Sequence, residues 1–366
     1  ILPWPLGWVM THPVAGWSWL TLLLSVIVIS WSSLQVRKLG DRSARVTFWK
    51  QLFKQEIGDR DAHAVSGNPI SWRERVTRHR NIGSLLGRWG FVAIFSLTYI
   101  ILTTLFLTTT ISSDSYRNLI LFLVVGEILI VTLSAISLSA SSIAKEREDG
   151  SLDLLLITSI TPRMYLGGKI RGLVMHLLPM ALIPCITMIC VGLILLIAPN
   201  ISIVSDVLVQ PANNDLSSTN LPVPLALISS AFLFPVVFIP YIMFCMTLGL
   251  LWSIRSKGTI SAVVFTLILV SIITTGLSMC LVPSQSFGPL GAIFGAISPF
   301  NDVISTLTAS NLINPTAQSD GIMNANIVMG VASIISGIIW SLVVLGLLRS
   351  MSSSFVVTVR RLAGIN

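Results

Sequence analysis

Glu127 is a carboxyl group in the middle of an apolar run, Val124-Val125-Gly126-Glu127-Ile128. An ionisable side chain inside such a run is a candidate polar site by default. It serves as a proton relay or a substrate contact, or it is held protonated against a neighbouring helix. A second set is contiguous: Lys145-Glu146-Arg147-Glu148-Asp149 directly follows another long apolar run. A third is Gly168-Lys169. It would end a phosphate-binding loop if Gly stood at 163 and Ser or Thr at 170, but Arg163 and Ile170 occupy those positions. The reading there is a glycine at a helix start and an interfacial lysine. Cys185, Cys190, Cys245 and Cys280 all lie in apolar runs and share no ligand spacing with His or Asp, so they read as small buried hydrophobes. His176 reads as a lone structural histidine, and His12, His63 and His79 are too scattered to form a metal site. Neither a catalytic residue, a metal site nor a cofactor is expected in this chain.

The elements that carry these residues are apolar helices. The chain is 53% hydrophobic and 10% charged, with a mean hydropathy of +0.86. Runs of about 20 apolar residues recur, each long enough to cross a bilayer as a helix. The long continuous runs exclude a β-barrel, whose strands are short and alternating. The fold class is all-α, a polytopic membrane protein. Seven spans are read at 15–34, 91–112, 118–142, 173–198, 222–253, 259–282 and 327–348. Residues 287–311 are semi-apolar and rich in Gly, Pro and Ser, which fits a re-entrant or interfacial pair of short helices.

Charge sets the orientation. Residues 35–90 carry twelve Lys/Arg against five Asp/Glu, and of 23 basic residues only Arg117 falls on the opposite side. The basic side is expected to be cytoplasmic, including residues 35–90 and the C-terminus. The net charge of +8 is thus a topology signal, and nucleic acid is not an expected partner. Within 45–54, Val46, Phe48, Trp49, Leu52 and Phe53 fall near one face with Arg45, Lys50 and Lys54 between them. That pattern suits a helix lying on membrane lipid or packed on a cytoplasmic partner.

The charged stretch also has a local grammar. Gly150 can redirect the chain, and Ser151 can cap a short helix with Asp153 in its first turn. Leu152, Leu155 and Leu156 share one face of that helix, and Thr161-Pro162 can start the next one. The order is span, sharp turn, short amphipathic helix, sharp turn, span. An exposed leucine face requires a cover, either lipid or protein.

Ala144 through Leu156, with Thr158 and then Gly168-Lys169, resembles the ABC type-2 permease family, whose members often read A-x-E-R-E-x-G-T-L-E-L-L-L-x-T-P-L-S followed by G-K. Asn68-Pro69-Ile70-Ser71-Trp72-Arg73-Glu74 and Ser298-Pro299-Phe300 resemble further motifs of that family and occur in the expected order. Ser159 and Thr161 depart from the family's Pro and Ser. The resemblance covers about 45–366. It implies a six-span permease half of an ATP-driven exporter in the bacterial cytoplasmic (inner) membrane, preceded here by one further span. It implies a coupling helix at 145–162, with Glu146, Arg147, Glu148, Asp149, Gly150, Leu152, Leu155 and Leu156 as the coupling element. ATP and Mg would be bound by partner ABC ATPase subunits. A second permease half, from a homodimer, a heterodimer or a fused repeat, would complete the pathway. Charge reversal at Glu146 together with Glu148 is expected to uncouple ATP hydrolysis from transport. An ion-coupled secondary transporter using Glu127 and a non-transporting membrane assembly subunit are the competing readings.

The expected organisation is residues 1–40 as an N-terminal extra span or the last span of a preceding unit, 41–90 as cytoplasmic amphipathic and connecting helices, and 91–366 as the six-span domain. Trp17-Ser18 and Val36-Arg37-Lys38-Leu39 recur as Trp340-Ser341 and Val359-Arg360-Arg361-Leu362 at one common offset. This is either chance likeness between basic membrane exits or the mark of a fused repeat. The chain opens on Ile1 rather than Met, which reads as a piece of a longer chain.

Overall fold

The computed structural model describes residues 25–26, 70–72, 74, 82–150, 162–197, 203–209, 219–256, 258–279, 296–307 and 318–362. Two compact units are present, Ile1–Ala64 and Val65–Asn366. In the first, only residues 25 and 26 are described, both helical. Most of the span read at 15–34 and the amphipathic helix read at 45–54 therefore lie outside the described residues.

In the second unit the described elements are α1 (Ile82–Leu107), α2 (Ser113–Glu148), α3 (Pro162–Ile197), β1 (Ile203–Val209), β2 (Thr219–Pro224), α4 (Ile228–Arg255), α5 (Thr259–Met279), α6 (Pro299–Leu307) and α7 (Gln318–Leu362). Among the described residues six helices are long and apolar enough to cross a membrane: Gly87–Leu107, Ser113–Glu148, Met164–Ile197, Ile228–Arg255, Thr259–Leu277 and Asn326–Ser353. The molecule is an all-α, multi-pass membrane protein with a short β-hairpin added between α3 and α4. If each span crosses once, the basic residues near 147, 169 and 255 fall on one side, and the hairpin and α6 on the other.

The helices overrun the apolar stretches that identify them. α2 and α3 have 36 residues each, about 54 Å at 1.5 Å per residue, against about 30 Å of hydrocarbon. Hydropathy ends a span at the first charges, but the backbone hydrogen bonds continue through Lys145–Glu148 and start again at Pro162, as the Thr161-Pro162 signal implied. Termination is local chemistry. Ser112 caps α2, its hydroxyl accepting from the Ser115 N–H at 3.4 Å. At the other end Gly150 takes φ +68° and its N–H returns to the Arg147 carbonyl at 3.0 Å. Only a residue without Cβ turns there without strain.

The hairpin corrects one boundary. Residues 222–224 were read as the start of a span, but Thr219–Pro224 pairs antiparallel with Ile203–Val209, Val209 opposite Thr219 and Ile203 opposite Pro224. Leu221 and Val223 each precede a proline, which holds both in extended backbone and disfavours helix.

α4 is the centre of the domain and packs against α2, α3, α5, α6 and α7. Its most apolar window is 61% buried, against 11% for α1 and 17% for α5. Those two spans show Ile94, Leu97, Ile100, Ile260, Phe265 and Ile272 on the outside. The core on α4 is aromatic, with Phe234 stacked on Phe238 and Tyr241 edge-on to Trp340 of α7 at 5.4 Å. Two glycines set the closest approaches. A Cβ on Gly249 would lie 2.0 Å from Ser139 Oγ of α2, and one on Gly337 of α7 2.5 Å from the Val236 carbonyl. That carbonyl is the one left without its usual helical donor by Pro240, four residues on. Close packing through small residues is how membrane helices associate when lipid is as apolar as they are.

Candidate functional site

The charged end of α2 is bonded in three directions by three consecutive side chains. Glu146 turns toward α3. Its Oε1 lies 2.9 Å from Lys169 Nζ, and its Oε2 accepts from the Tyr165 hydroxyl at 2.6 Å. Lys169 is 3% exposed at its side chain and is held from the other side by Glu74 Oε2 at 2.9 Å. Lys169 is thus a cation shared by two carboxylates, and it fastens the helical residues around 70–74 to α2 and α3. Gly172 lies one turn along α3, and a Cβ there would come within 2.7 Å of Glu74 Cβ. The glycine is what lets Glu74 approach.

Arg147 turns toward α4. Its guanidinium donates to the Ile254 carbonyl at 3.2 Å and to the Ser256 carbonyl. Ile254 lies in the last turn of α4, whose carbonyls have no intrahelical donor and carry the negative end of its dipole, and Ser256 is the extended residue that ends the helix. Glu148 turns toward α5. Its carboxylate accepts from the Thr259 N–H and the Thr259 hydroxyl, both at 2.7 Å. It caps a helix N-terminus from another element, where a negative charge is favoured. Just above this level Ser253 Oγ accepts from the Ile143 and Ala144 N–H groups at 3.1 and 2.8 Å.

Adjacent residues on a helix point about 100° apart, so three in a row can serve three neighbours. That geometry decides how the Glu-Arg-Glu run is used: it joins the ends of α3, α4 and α5 to α2. Lys145, Asp149 and Gly150 remain exposed beyond it. Leu152, Leu155 and Leu156 lie outside the described residues, as does the short helix expected over 151–161.

Glu127, the other predicted site, is fully buried in α2. Its Oε1 lies 3.3 Å from the Thr187 hydroxyl of α3, and its Oε2 has no hydrogen-bond partner. The two predicted sites are separate. Glu127 is at mid-span, whereas Glu146, Arg147 and Glu148 stand at the end of the same helix. Glu127 takes no part in the ion network.

Sequence reasoning missed the partners: Glu74, Tyr165, Lys169 as a buried ion, Ser253 and Thr259. The available signal was the excess of two carboxylates and one arginine at a helix end with a lysine one helix later. The described cysteines Cys185, Cys190 and Cys245 are free thiols, the first and last buried, as their apolar surroundings implied. No group of three or more His, Cys, Asp or Glu that could hold a metal occurs among the described residues. No family model matches the chain, and no curated protein matches it.

Proposed function

We propose that the chain is the membrane-spanning half of an ABC type-2 exporter in a bacterial cytoplasmic membrane, with its basic side inward. Hydrolysis of ATP takes place in separate ATPase subunits, which bind the nucleotide and Mg, and a second permease half closes the pathway. The observation that carries this reading is the triple attachment of Glu146, Arg147 and Glu148. The turn at Gly150 leads directly into the segment expected to dock on the ATPase, and the three side chains before it join α2 to α3, α4 and α5. A push on that segment is therefore delivered to four spans at once. The six spans and the one-sided basic charge agree with the same reading.

The test is affinity purification of the full chain from membranes of a cell that makes it. A nucleotide-hydrolysing subunit is expected to co-purify, and a variant carrying Leu152→Ser, Leu155→Ser and Leu156→Ser is expected to lose it while keeping its own thermal unfolding unchanged. A wild-type chain that retains no ATPase, or a triple variant that retains it fully, overturns the proposal. Glu148→Lys is the cleaner charge reversal, since Glu148 is exposed whereas Glu146 faces the buried Lys169. The buried Glu127 carboxyl, with one oxygen unpartnered, favours ion-coupled transport as the second reading. Transport that follows a proton gradient without ATP, and stops in Glu127→Gln, would select it.

A further inference from the structure

Asp302 lies on α6, on the side away from the basic loops, and outside the six spans. Instead of capping its helix, the side chain points to α4 and α7 and is fully buried. Three hydroxyls surround it. The Thr306 hydroxyl lies 2.6 Å from the Asp302 carbonyl, and the Ser333 hydroxyl 2.9 Å from the Met329 carbonyl. Ser230 Oγ is 2.5 Å from Thr306 Oγ1. Asp302 Oδ1 is 3.2 Å from both Ser230 Oγ and Ser333 Oγ, while Oδ2 has no partner.

Protons can be counted in this cluster. A carbonyl only accepts, so Thr306 and Ser333 each spend their one proton on a carbonyl. Thr306 is then an acceptor toward Ser230, which spends its own proton on that 2.5 Å contact. The three hydroxyl protons are used up, and both contacts to Asp302 Oδ1 still lack one. An ionised carboxylate would face two oxygens with no hydrogen between, or would draw Ser230 away from Thr306. A proton on the carboxyl supplies one donor, to Ser230 or to Ser333, and relieves one of the two contacts.

We propose that Asp302 is a proton-binding site whose bound proton supplies a donor that the hydrogen-bond cluster joining α6 to α4 and α7 lacks. Losing the proton draws Ser230 away from Thr306 and Ser333 away from the Met329 carbonyl, and leaves a negative charge buried between α6, α4 and α7. The groups on the packed elements do not replace it. On α2, Asp114 pairs with Arg117 at 3.2 Å, Tyr116 meets Thr103 and Glu127 meets Thr187. On α4, Tyr241 meets Thr274, Cys245 is a buried thiol, and Arg255 is at the far end. Arg349 is likewise at the far end of α7. Among the described residues no charged side chain acts on Asp302. Burial pushes its carboxyl up to about 7, with the Ser230 and Ser333 hydroxyls pulling the other way. The inference does not depend on the exporter reading.

The sign follows from linkage. The native carboxyl keeps its proton up to about 7, whereas an unfolded one releases it near 3.8. Stability is therefore full at low pH and falls as the pH rises through that window. The experiment is thermal unfolding of the full chain in lipid nanodiscs between about pH 5 and pH 8, comparing wild type with Asp302→Asn, whose amide supplies the donor at every pH. The wild-type midpoint is expected to fall by several degrees relative to the variant. Infrared spectra should show a protonated-carboxyl band at the acid end that Asp302→Asn loses and Glu127→Gln keeps. Parallel unfolding curves, or a band unchanged in Asp302→Asn, would overturn the proposal. So would restoration of the wild-type midpoint at the alkaline end by sodium but not by choline, which would make the site one for a metal cation.

Discussion

Lys169 illustrates how a buried charge is tolerated. It sits between Glu74 and Glu146, and the Tyr165 hydroxyl satisfies a further carboxylate oxygen. Removing one partner of a buried ion pair strands the other and costs about 3–5 kcal/mol, while replacing the whole set with apolar groups is close to neutral. Lys169→Ala is therefore expected to lower stability by about 3–5 kcal/mol. Adding Glu74→Gln and Glu146→Gln should recover much of it, because no unpaired carboxylate then remains buried. Thermal unfolding of the single and triple variants checks both statements, and a triple variant no more stable than the single would sink them. The charges themselves were legible in the sequence, since five in a row after an apolar run stand out. Their partners were not. Glu74 and Lys169 are 95 residues apart, and only folding brings them together.

At the scale of elements, what the sequence made plain and what it hid have a common cause. Apolar length identified every described span, because burying some 20 apolar residues in lipid outweighs local preferences. The ends were less plain. Hydropathy measures where the bilayer stops, and helices α2 and α3 continue past it. The strand at 219–224 was written in its prolines rather than in its hydropathy. Helix spacing was hidden too, since a glycine shows no partner until the approach is seen. Gly249 lies against Ser139, and α2 and α4 meet there. Gly249→Ala should push the two helices apart and cost about 1–3 kcal/mol, as overpacking does. Ser139→Gly in the same chain should give most of it back. A double-mutant cycle on unfolding free energy reads the coupling, and additive effects would contradict the packing described.

At the scale of the molecule, the six described spans and the one-sided basic residues make a topology that can be measured. Single cysteines in place of Ser205 in the hairpin and the exposed Arg255 at the end of α4 should label from opposite sides of the membrane with an impermeant maleimide. Cys280 and the half-buried Cys190 are replaced beforehand, while the buried Cys185 and Cys245 contribute little background. Labelling of both positions from one side would require a different number of crossings. The uneven burial of the spans belongs to this scale as well. α4 is enclosed by its neighbours, while α1 and α5 turn long apolar faces outward, which membrane lipid or another protein can cover.

The Glu-Arg-Glu attachment also has a consequence in time. Arg147 donates to carbonyls 107 and 109 residues further along, and Glu148 accepts from a residue 111 further along. A ribosome adding roughly 5–20 residues each second needs about 5–20 s to supply them. At the start of that interval the first two described spans are already made, and the third follows within it, yet the arginine and the glutamate have nothing to hold. Folding of the domain cannot finish span by span; it waits for the start of α5, and a nascent chain arrested before Thr259 should remain open to proteases that the finished chain resists.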